Sequence, residues 1–266
     1  LGVDRLNETA KKFGLGNKVF NNIFNEEKAG LVPSTEWKKN ALGRGWVLGE
    51  TLITGIGQGY IQTTPLQLCL MTAHLANGGF KISPKLIVNK DDLTFENIKS
   101  KMNKNLEKKI QGPDFDDALV DLGISSNKDD NLYNPLFRNQ ENVKFVLEAM
   151  FASTNEVRGT SYSSRIEDKK YQFAGKTGTS QVKRITEAQR ELDLDISQIP
   201  YEDRDHALYI AFGPYKNPRY AMSVFIEHGG SGGSTAAPMA KKLFKVVIDR
   251  HEEREQFKQK KINFVA

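Results

Sequence analysis

Residues 173–181 read FAGKTGTSQ, and from here on the sequence predicts strands, whereas most of the chain before it predicts helices and loops. Apolar, aromatic and β-branched residues, which are typical of strands, recur in two later stretches, HALYIAFG at 206–213 and RYAMSVFIEH at 219–228. The turn sequence PYKNPR (214–219) joins those two. Since neither alternates cleanly between apolar and polar residues, we expect both faces of the sheet to be covered.

Three helices are predicted from apolar residues at helical spacing. The first runs from about Val3 to Phe13 and ends at Gly14, and residues 17–50 after it are expected to be rich in loops. The second contains Val143, Val146, Leu147, Met150 and Phe151. The last begins at about Ala236, after the glycine run HGGSGGST, and its inward-facing residues are predicted to be Leu243, Phe244, Val247 and Ile248.

A fourth predicted helix spans residues 65–76 and carries signals at both ends. Thr64, Pro65 and Gln67 form a capping-box pattern with proline at the first helical position. The sequence Asn77-Gly78-Gly79 ends the helix. Because its residues are apolar on nearly all faces, we expect a buried helix, with Cys69 as a small core residue. The whole pattern predicts an α+β fold, an antiparallel sheet flanked by helices.

Composition excludes several classes of protein. The chain has 266 residues, a net charge of +5 and one cysteine, so it forms no internal disulfide and no cysteine-based zinc site. Basic residues are mixed with acidic ones, so we expect no nucleic-acid partner. We find neither a signal peptide in the first 30 residues nor a membrane span, and expect any anchor to precede Leu1. The polar stretch 89–135 is predicted to be a peripheral excursion from one domain spanning 1–266.

Two glycine motifs resemble nucleotide-binding loops but fail on spacing. A phosphate loop around GKT (175–177) needs a glycine at position 170, which is Lys170. A dinucleotide fingerprint at GIGQG (55–59) needs a third glycine at position 60, which is Tyr60. The four histidines show no metal-ligand spacing. We expect His74 to be a core residue, and His206 and His228 to make structural hydrogen bonds, so no cofactor or metal is predicted.

The residues of KTGT suit the binding of an anionic peptide end. The Lys176 ammonium can bind a carboxylate, and the hydroxyls of Thr177 and Thr179 can add directed hydrogen bonds. Gly178 lets a substrate backbone come close to the strand. A strand that binds substrate in this way needs one free edge. We therefore expect 172–181 to be an edge strand, paired on its other side with 206–213.

A lysine-threonine-glycine strand is also the third motif of the penicillin-recognising serine enzymes. The sequence resembles the later part of a class B penicillin-binding protein transpeptidase of the elongation type, penicillin-binding protein 2. The resemblance runs from about Gly30 to Ala240 and rests on GLVPSTEWK (30–38), GETLITGIGQGYIQTTPLQL (49–68), LANGG (75–79), FAGKTGTSQV (173–182), RITEAQREL (184–192), RDHALYIAFGPY (204–215) and EHGGSGGSTAAPMA (227–240).

The resemblance implies a serine-type D,D-transpeptidase that cross-links peptidoglycan. Lys176, Thr177 and Thr179 would hold the substrate carboxylate, Gly178 would permit close approach, and the Thr179 N–H would form part of the oxyanion hole. The implied ligands are stem peptides and β-lactams. The implied partners are a membrane glycosyltransferase and other proteins of the elongation complex, at the periplasmic face of the bacterial inner membrane.

The family's nucleophilic serine and lysine base, in an S-x-x-K motif, are expected upstream of Leu1. Three matches to the family's serine motifs inside the chain are predicted to be non-catalytic. Ser125, Ser126, Asn127 and Lys128 lie in a polar loop, Ser153 and Asn155 end a helix, and Ser180 and Lys183 follow a strand. We therefore expect a domain that is incomplete at its N-terminus. Two alternatives remain open: a related hydrolase (carboxypeptidase or β-lactamase), and a non-catalytic fragment or scaffold.

Overall fold

The structure is a computed structural model that describes residues 1–20, 25–86, 135–137, 139–182 and 196–265. The chain divides into two compact units, one formed by Leu1–Phe80 with Leu136–Ala266 and the other by Lys81–Pro135. The predicted excursion at 89–135 lies almost wholly outside the described residues, and so do Ser125, Ser126, Asn127, Lys128 and Lys183.

Three antiparallel strands form the sheet: β1 (Ala174–Ser180), β2 (His206–Gly213) and β3 (Tyr220–Ile226). Their order is β1-β2-β3, so β1 lies at an edge and pairs with β2, as predicted. The register places Lys176 opposite Ile210, and Ile210 opposite Ser223. The FAGKTGTSQ stretch therefore forms a strand whose second edge pairs with no other strand in the described part of the chain.

Six helices accompany the sheet in the described residues: α1 (Val3–Lys12), α2 (Thr35–Leu42), α3 (Leu48–Gly55), α4 (Pro65–Ala76), α5 (Gln140–Asn155) and α6 (Ala237–Val265). A π-helical turn, Gly232–Ala236, leads into α6. No helix that the structure describes is long and apolar enough to cross a membrane.

Residues 17–50 are rich in loops, as predicted, but they also contain α2 and the start of α3, which the sequence analysis did not predict. Helix α2 is capped by Ser34, whose hydroxyl accepts from the Trp37 N–H at 3.0 Å, and ends at Gly43, whose φ is 64°. In α3 the Glu50 carboxylate accepts from the Val47 N–H at 3.0 Å. Both helices are only eight residues long, so they show about two turns of periodicity, too few to stand out from the surrounding polar sequence.

Helix α4 begins and ends where the sequence predicts, but it is not buried on all faces. The Thr64 hydroxyl accepts from the Gln67 N–H, and the Gln67 side chain accepts from the Thr64 N–H. The buried residues of α4 are mainly polar: Gln67, Thr72, His74 and Leu75, whereas Cys69 is half-buried. The burial of Gln67 is tolerated because its amide donates to the carbonyl oxygens of Asn17 and Ala29, both at 2.7 Å.

Helix α6 covers one face of the sheet. Its buried residues are Ala237, Ala240, Phe244 and Ile248, and they pack against Ala207, Tyr209 and Ala211 of β2, which are fully buried. Leu243 and Val247 were also predicted to face inward, but they are 42% and 36% exposed. Each lies one residue before an inward-facing one, so its side chain is rotated by about 100° around the helix.

Among the described residues, the opposite face of the sheet is covered at one end only. Ala174 and Phe212 pack with Leu75 of α4 and with Val143 and Met150 of α5. At the other end Leu208 is half-buried and Phe225 is 41% exposed. The predicted coverage of both faces therefore holds near Phe212 and is wrong near Phe225.

Candidate functional site

The four residues of KTGT lie along the free edge of β1. Side chains alternate across a strand, so Lys176 and Gly178 occupy one face of the sheet and Thr177 and Thr179 the other. Lys176 and Thr179 are exposed, and Thr177 and Gly178 are half-buried. All four are thus within reach of a ligand that lies along the edge of the strand.

The Lys176 ammonium contacts only its own strand in the described part of the chain. Its Nζ donates to the Thr177 carbonyl oxygen at 2.8 Å and lies 3.4 Å from Thr177 Oγ1. No carboxylate among the described residues forms an ion pair with it. An ammonium group has three donors and no acceptor, so Lys176 keeps the capacity to bind an anion.

The two glycines of FAGKTG have different structural roles. A Cβ at position 175 would overlap the Tyr209 hydroxyl and lie 2.7 Å from the Ile210 carbonyl oxygen, so only glycine fits there. A Cβ at position 178 would lie 3.3 Å from Leu208 Cβ, a tight contact that a small shift relieves. Packing within the chain therefore requires Gly175 more strictly than Gly178.

The glycine run after β3 lies directly on β1 and β2. A Cβ at Gly232 would lie 2.6 Å from the Gly178 carbonyl oxygen, and a Cβ at Gly233 would lie 2.6 Å from the Thr160 carbonyl oxygen. Side chains at these two positions would push the π-helical turn away from the strands. The glycines let the turn support β1 from the face that bears Thr177 and Thr179.

A group of buried hydroxyls lies behind β1. Tyr209 Oη is 2.8 Å from Thr154 Oγ1 and 3.0 Å from Ser161 Oγ, and all three residues are fully buried. Burial raises the pKa of the Tyr209 phenol, while its hydrogen bonds with Ser161 and Thr154 oppose that shift. The group ties the end of α5 and the turn at 159–161 to β2.

Two further hydroxyls lie next to this group, toward the edge of the sheet. Ser153 Oγ lies 3.3 Å from Thr160 Oγ1, and Thr160 Oγ1 lies 3.2 Å from Thr177 Oγ1. Sequence reasoning missed Thr160 and Ser161. The hydroxyl-rich run RGTSYSS (158–164) before the strand was the available signal, but its proximity to Thr177 depends on the fold.

Two serines that match family motifs, Ser153 and Ser180, lie in the described part of the chain. Ser153 and Asn155 occupy the last turn of α5, where Asn155 Nδ2 donates to the Phe173 carbonyl oxygen at 2.9 Å and Ser153 pairs with the Thr160 hydroxyl. Ser180 ends β1 and is exposed. Their assignment as non-catalytic stays a prediction.

His74 lies in the core, and His206 and His228 make structural hydrogen bonds, as predicted. His74 is 3% exposed and its Nδ1 lies 3.2 Å from the Phe13 carbonyl oxygen. The His228 N–H donates to His206 Nδ1 at 3.0 Å, and His228 Nδ1 lies 3.0 Å from the Arg204 carbonyl oxygen. Among the residues that the structure describes, no three His, Cys, Asp or Glu side chains group as a metal site would need.

Comparison with protein families gives a match over most of the chain. A model of the penicillin binding protein transpeptidase domain matches residues 1–245. The peptidoglycan D,D-transpeptidase MrdA of Salmonella typhimurium is 32% identical over 249 residues, which are 94% of this chain and 35% of that protein. MrdA of Escherichia coli K12 is 27% identical over 248 residues, 93% of this chain and 34% of that protein. The chain thus spans about a third of the length of these relatives.

Solved structures give the same match. Pseudomonas aeruginosa PBP2 in complex with WCK 5153 is 32% identical, with a TM-score of 0.64 over 92% of this chain and 44% of that chain. PBP2 of Helicobacter pylori, in a complex with MreC, is 25% identical, with a TM-score of 0.65 over 94% of this chain and 36% of that chain. These likenesses agree with the α+β fold predicted from the sequence.

Proposed function

The chain belongs to the penicillin-binding protein transpeptidase domain family, and on that premise we propose that it is the KTG-bearing part of a peptidoglycan D,D-transpeptidase of cell-wall elongation. The observation that carries this proposal is the free edge of β1. An exposed ammonium and two threonine hydroxyls lie along it, and no carboxylate among the described residues neutralises the ammonium.

The proposed substrate is a peptidoglycan stem peptide that ends in D-alanyl-D-alanine. Its terminal carboxylate binds Lys176 by charge and accepts from the hydroxyls of Thr177 and Thr179. Its extended backbone pairs with the free edge of β1 in the manner of an added strand. Gly178 leaves room for that backbone, which accounts for a glycine at a position where packing against Leu208 needs only a small shift.

The proposed reaction is acyl transfer through a serine ester. A serine Oγ attacks the carbonyl carbon of the penultimate D-alanine, the C–N bond to the last D-alanine breaks, and a lysine carries the serine proton to the leaving amine. An amine of a neighbouring stem then attacks the ester, and the serine leaves with its proton restored. The Thr179 N–H stabilises the oxyanion in both steps, a contribution of about 3 kcal/mol in other acyl-transfer enzymes.

The serine and its lysine base are proposed to come from sequence outside these 266 residues. The first unit is proposed to be the later portion of one transpeptidase domain, with 89–135 as an excursion from it. The parent protein is proposed to work at the periplasmic face of the inner membrane with a glycosyltransferase. It is also proposed to bind an MreC-like protein, by analogy with the complex between PBP2 and MreC of Helicobacter pylori.

The test is a turnover assay with stem-peptide substrate on the natural polypeptide that contains this chain. Cross-linked product with release of one D-alanine per bond formed is expected. Release of D-alanine without cross-links would indicate the hydrolase instead. If a polypeptide that carries an S-x-x-K segment gave neither product, the proposal would be contradicted and a non-catalytic scaffold would be the remaining alternative. In the same assay Lys176→Ala should lose activity, because the substrate carboxylate loses its charged partner. Lys144→Ala, which removes an exposed charge from α5, is its control.

A further inference from the structure

Three hydroxyl groups form a line that ends at the free edge of β1. Ser153 Oγ, on the last turn of α5, lies 3.3 Å from Thr160 Oγ1, which in turn lies 3.2 Å from Thr177 Oγ1. The Lys176 ammonium lies 3.4 Å from the same Thr177 oxygen. The Thr177 hydroxyl is therefore contacted from two sides before any ligand reaches it.

Thr160 is held in this line by its neighbours. The N–H and the hydroxyl of Ser161 both donate to the Ser153 carbonyl oxygen at 3.0 Å, and Ser161 is fully buried against Tyr209. A Cβ at Gly159 would lie 2.5 Å from the Ala152 carbonyl oxygen, so glycine is what lets the turn approach the helix end. The exposed Thr160 side chain does not anchor the turn, and removal of its hydroxyl should leave the fold intact.

The direction of hydrogen-bond donation along the line decides whether Thr177 keeps a proton for a ligand. A hydroxyl donates one hydrogen bond and accepts two, whereas an ammonium only donates. If Thr160 donates to Thr177, then Thr177 Oγ1 accepts from Thr160 and from Lys176, and its own proton stays free for an anion. If Thr177 donates to Thr160, that proton is used within the protein.

We propose that Thr160 is a positioning residue for substrate recognition. Its hydroxyl donates to Thr177 Oγ1, so that the Thr177 proton points outward to the carboxylate of the peptide substrate. Ser153 donates to Thr160 and strengthens the line, because hydrogen bonds in series polarise one another. This inference rests on the proposed function for the identity of the ligand. The direction in which the hydroxyls donate is a property of the chain and does not depend on that ligand.

The experiment compares three forms of the full 266-residue chain: wild type, Thr160→Val and Thr160→Ser. Valine matches threonine in shape and lacks the hydroxyl, and serine keeps the hydroxyl. The first readout is the dissociation constant for diacetyl-L-lysyl-D-alanyl-D-alanine, with the melting temperature measured alongside. We expect Thr160→Val to bind about tenfold more weakly, which corresponds to about 1.4 kcal/mol. Thr160→Ser should bind as the wild type does, and all three should melt together.

If the hydroxyls donate in the opposite direction, the Thr160→Val variant should give the opposite result. If Thr177 donated to Thr160, then Thr160→Val would release the Thr177 proton, and binding would be unchanged or tighter. Either outcome overturns the inference. So does a common loss of affinity in the valine and serine variants, because it would indicate a packing effect and not a hydroxyl effect.

A second readout separates this inference from the proposed function. Scalar couplings of isotope-labelled threonine report the χ1 rotamer of Thr177 without any ligand. We expect one rotamer in wild type and in Thr160→Ser, and averaging in Thr160→Val. Failure of the wild type to bind the peptide would count against the proposed function. An unchanged Thr177 rotamer in Thr160→Val would overturn the positioning role whether or not the peptide binds.

Discussion

The hydroxyl of Tyr209 occupies the volume that a side chain at Gly175 would need. The phenol of the central strand β2 therefore contacts the edge strand β1 at the residue before the candidate substrate-binding Lys176. The phenol also bonds Thr154 and Ser161. One side chain therefore connects β2, the end of α5 and the turn that carries Thr160.

Gly175→Ala should destabilise the protein by about 1–3 kcal/mol, as overpacking of a well-packed core does. The added methyl group would have to displace the Tyr209 hydroxyl or the strand pairing. Urea unfolding measures the change. Gly178→Ala is the matched control, because a methyl group there meets Leu208 Cβ at 3.3 Å and needs only a small shift. Equal losses in the two variants would contradict the different roles of the two glycines.

Tyr209→Phe should cost about 1–3 kcal/mol of stability, because it removes the hydroxyl that Thr154 and Ser161 share while leaving them buried. The free energy of unfolding in urea checks this. Tyr201→Phe serves as the control, since Tyr201 is 60% exposed, and surface substitutions stay within about 0.5 kcal/mol. A Tyr209→Phe protein as stable as the wild type would contradict this role of the hydroxyl.

The same phenol should make stability depend on pH. Burial raises the pKa of Tyr209 in the folded state, whereas the unfolded chain has the ordinary value of about 10. The folded protein keeps a proton that the unfolded chain releases, so this stabilisation is complete below pH 10 and is lost as pH rises further. The free energy of unfolding should fall more steeply above pH 10 in wild type than in Tyr209→Phe. Tyr215 and Tyr220, whose pKa values burial also raises, are present in both proteins. Parallel pH profiles for the two proteins would contradict the expectation.

Helix α4 offers a test of partial burial. Leu75 is 6% exposed and packs against Phe212 and Met150, whereas Leu66, in the first turn, is 37% exposed. Leu75→Asp should abolish soluble expression, because an unpaired buried carboxylate costs several kcal/mol. Leu66→Asp should be tolerated, since an acidic residue near a helix N-terminus is favourable. Equal solubility of the two variants would show that α4 packs differently. The half-buried Leu70, which an all-buried helix would place in the core, should fall between them.

The sequence predicts those parts of the fold whose signals are local. The capping residues of α4, Thr64 and Gln67, are only three residues apart, and β1 is predicted from one consecutive stretch of sequence. The short helices α2 and α3 were missed because eight residues give little periodicity. The inward face of α6 was predicted too wide: Phe244 is buried as expected, but the neighbouring Leu243 is also apolar, and only the packing of Ala237 and Ala240 against the sheet decides between the two.

The candidate site likewise has one part that the sequence predicts and one part that only the fold reveals. Lys176, Thr177, Gly178 and Thr179 follow from four consecutive letters. Thr160 lies 17 residues before Thr177, and its place beside that side chain depends on the turn at Gly159 and on the buried Ser161. No spacing rule connects a hydroxyl in a loop to a hydroxyl on a strand, so this part of the site became visible only in the fold.

The last prediction concerns covalent labelling by a fluorescent penicillin. The 266-residue chain should not be labelled. Lys176 can attract the lactam carboxylate and Thr179 can offer one oxyanion donor, but neither is proposed to attack the ring. An oxyanion hole without its nucleophile gives only weak, reversible binding. The natural polypeptide, with the proposed serine and base, should be labelled.

In that longer protein, Lys176→Ala should slow labelling sharply, because the penicillin carboxylate loses its charged partner. Lys144→Ala, which removes a charge that is exposed on α5, should not. A gel of the short chain, the natural polypeptide and its two variants, sampled over time, measures all four. Labelling of the short chain would return Ser125, Ser153 and Ser180 to consideration as nucleophiles. Equal labelling rates for Lys176→Ala and Lys144→Ala would mean that the free edge of β1 does not bind the carboxylate, because the two variants differ only in which ammonium they lack.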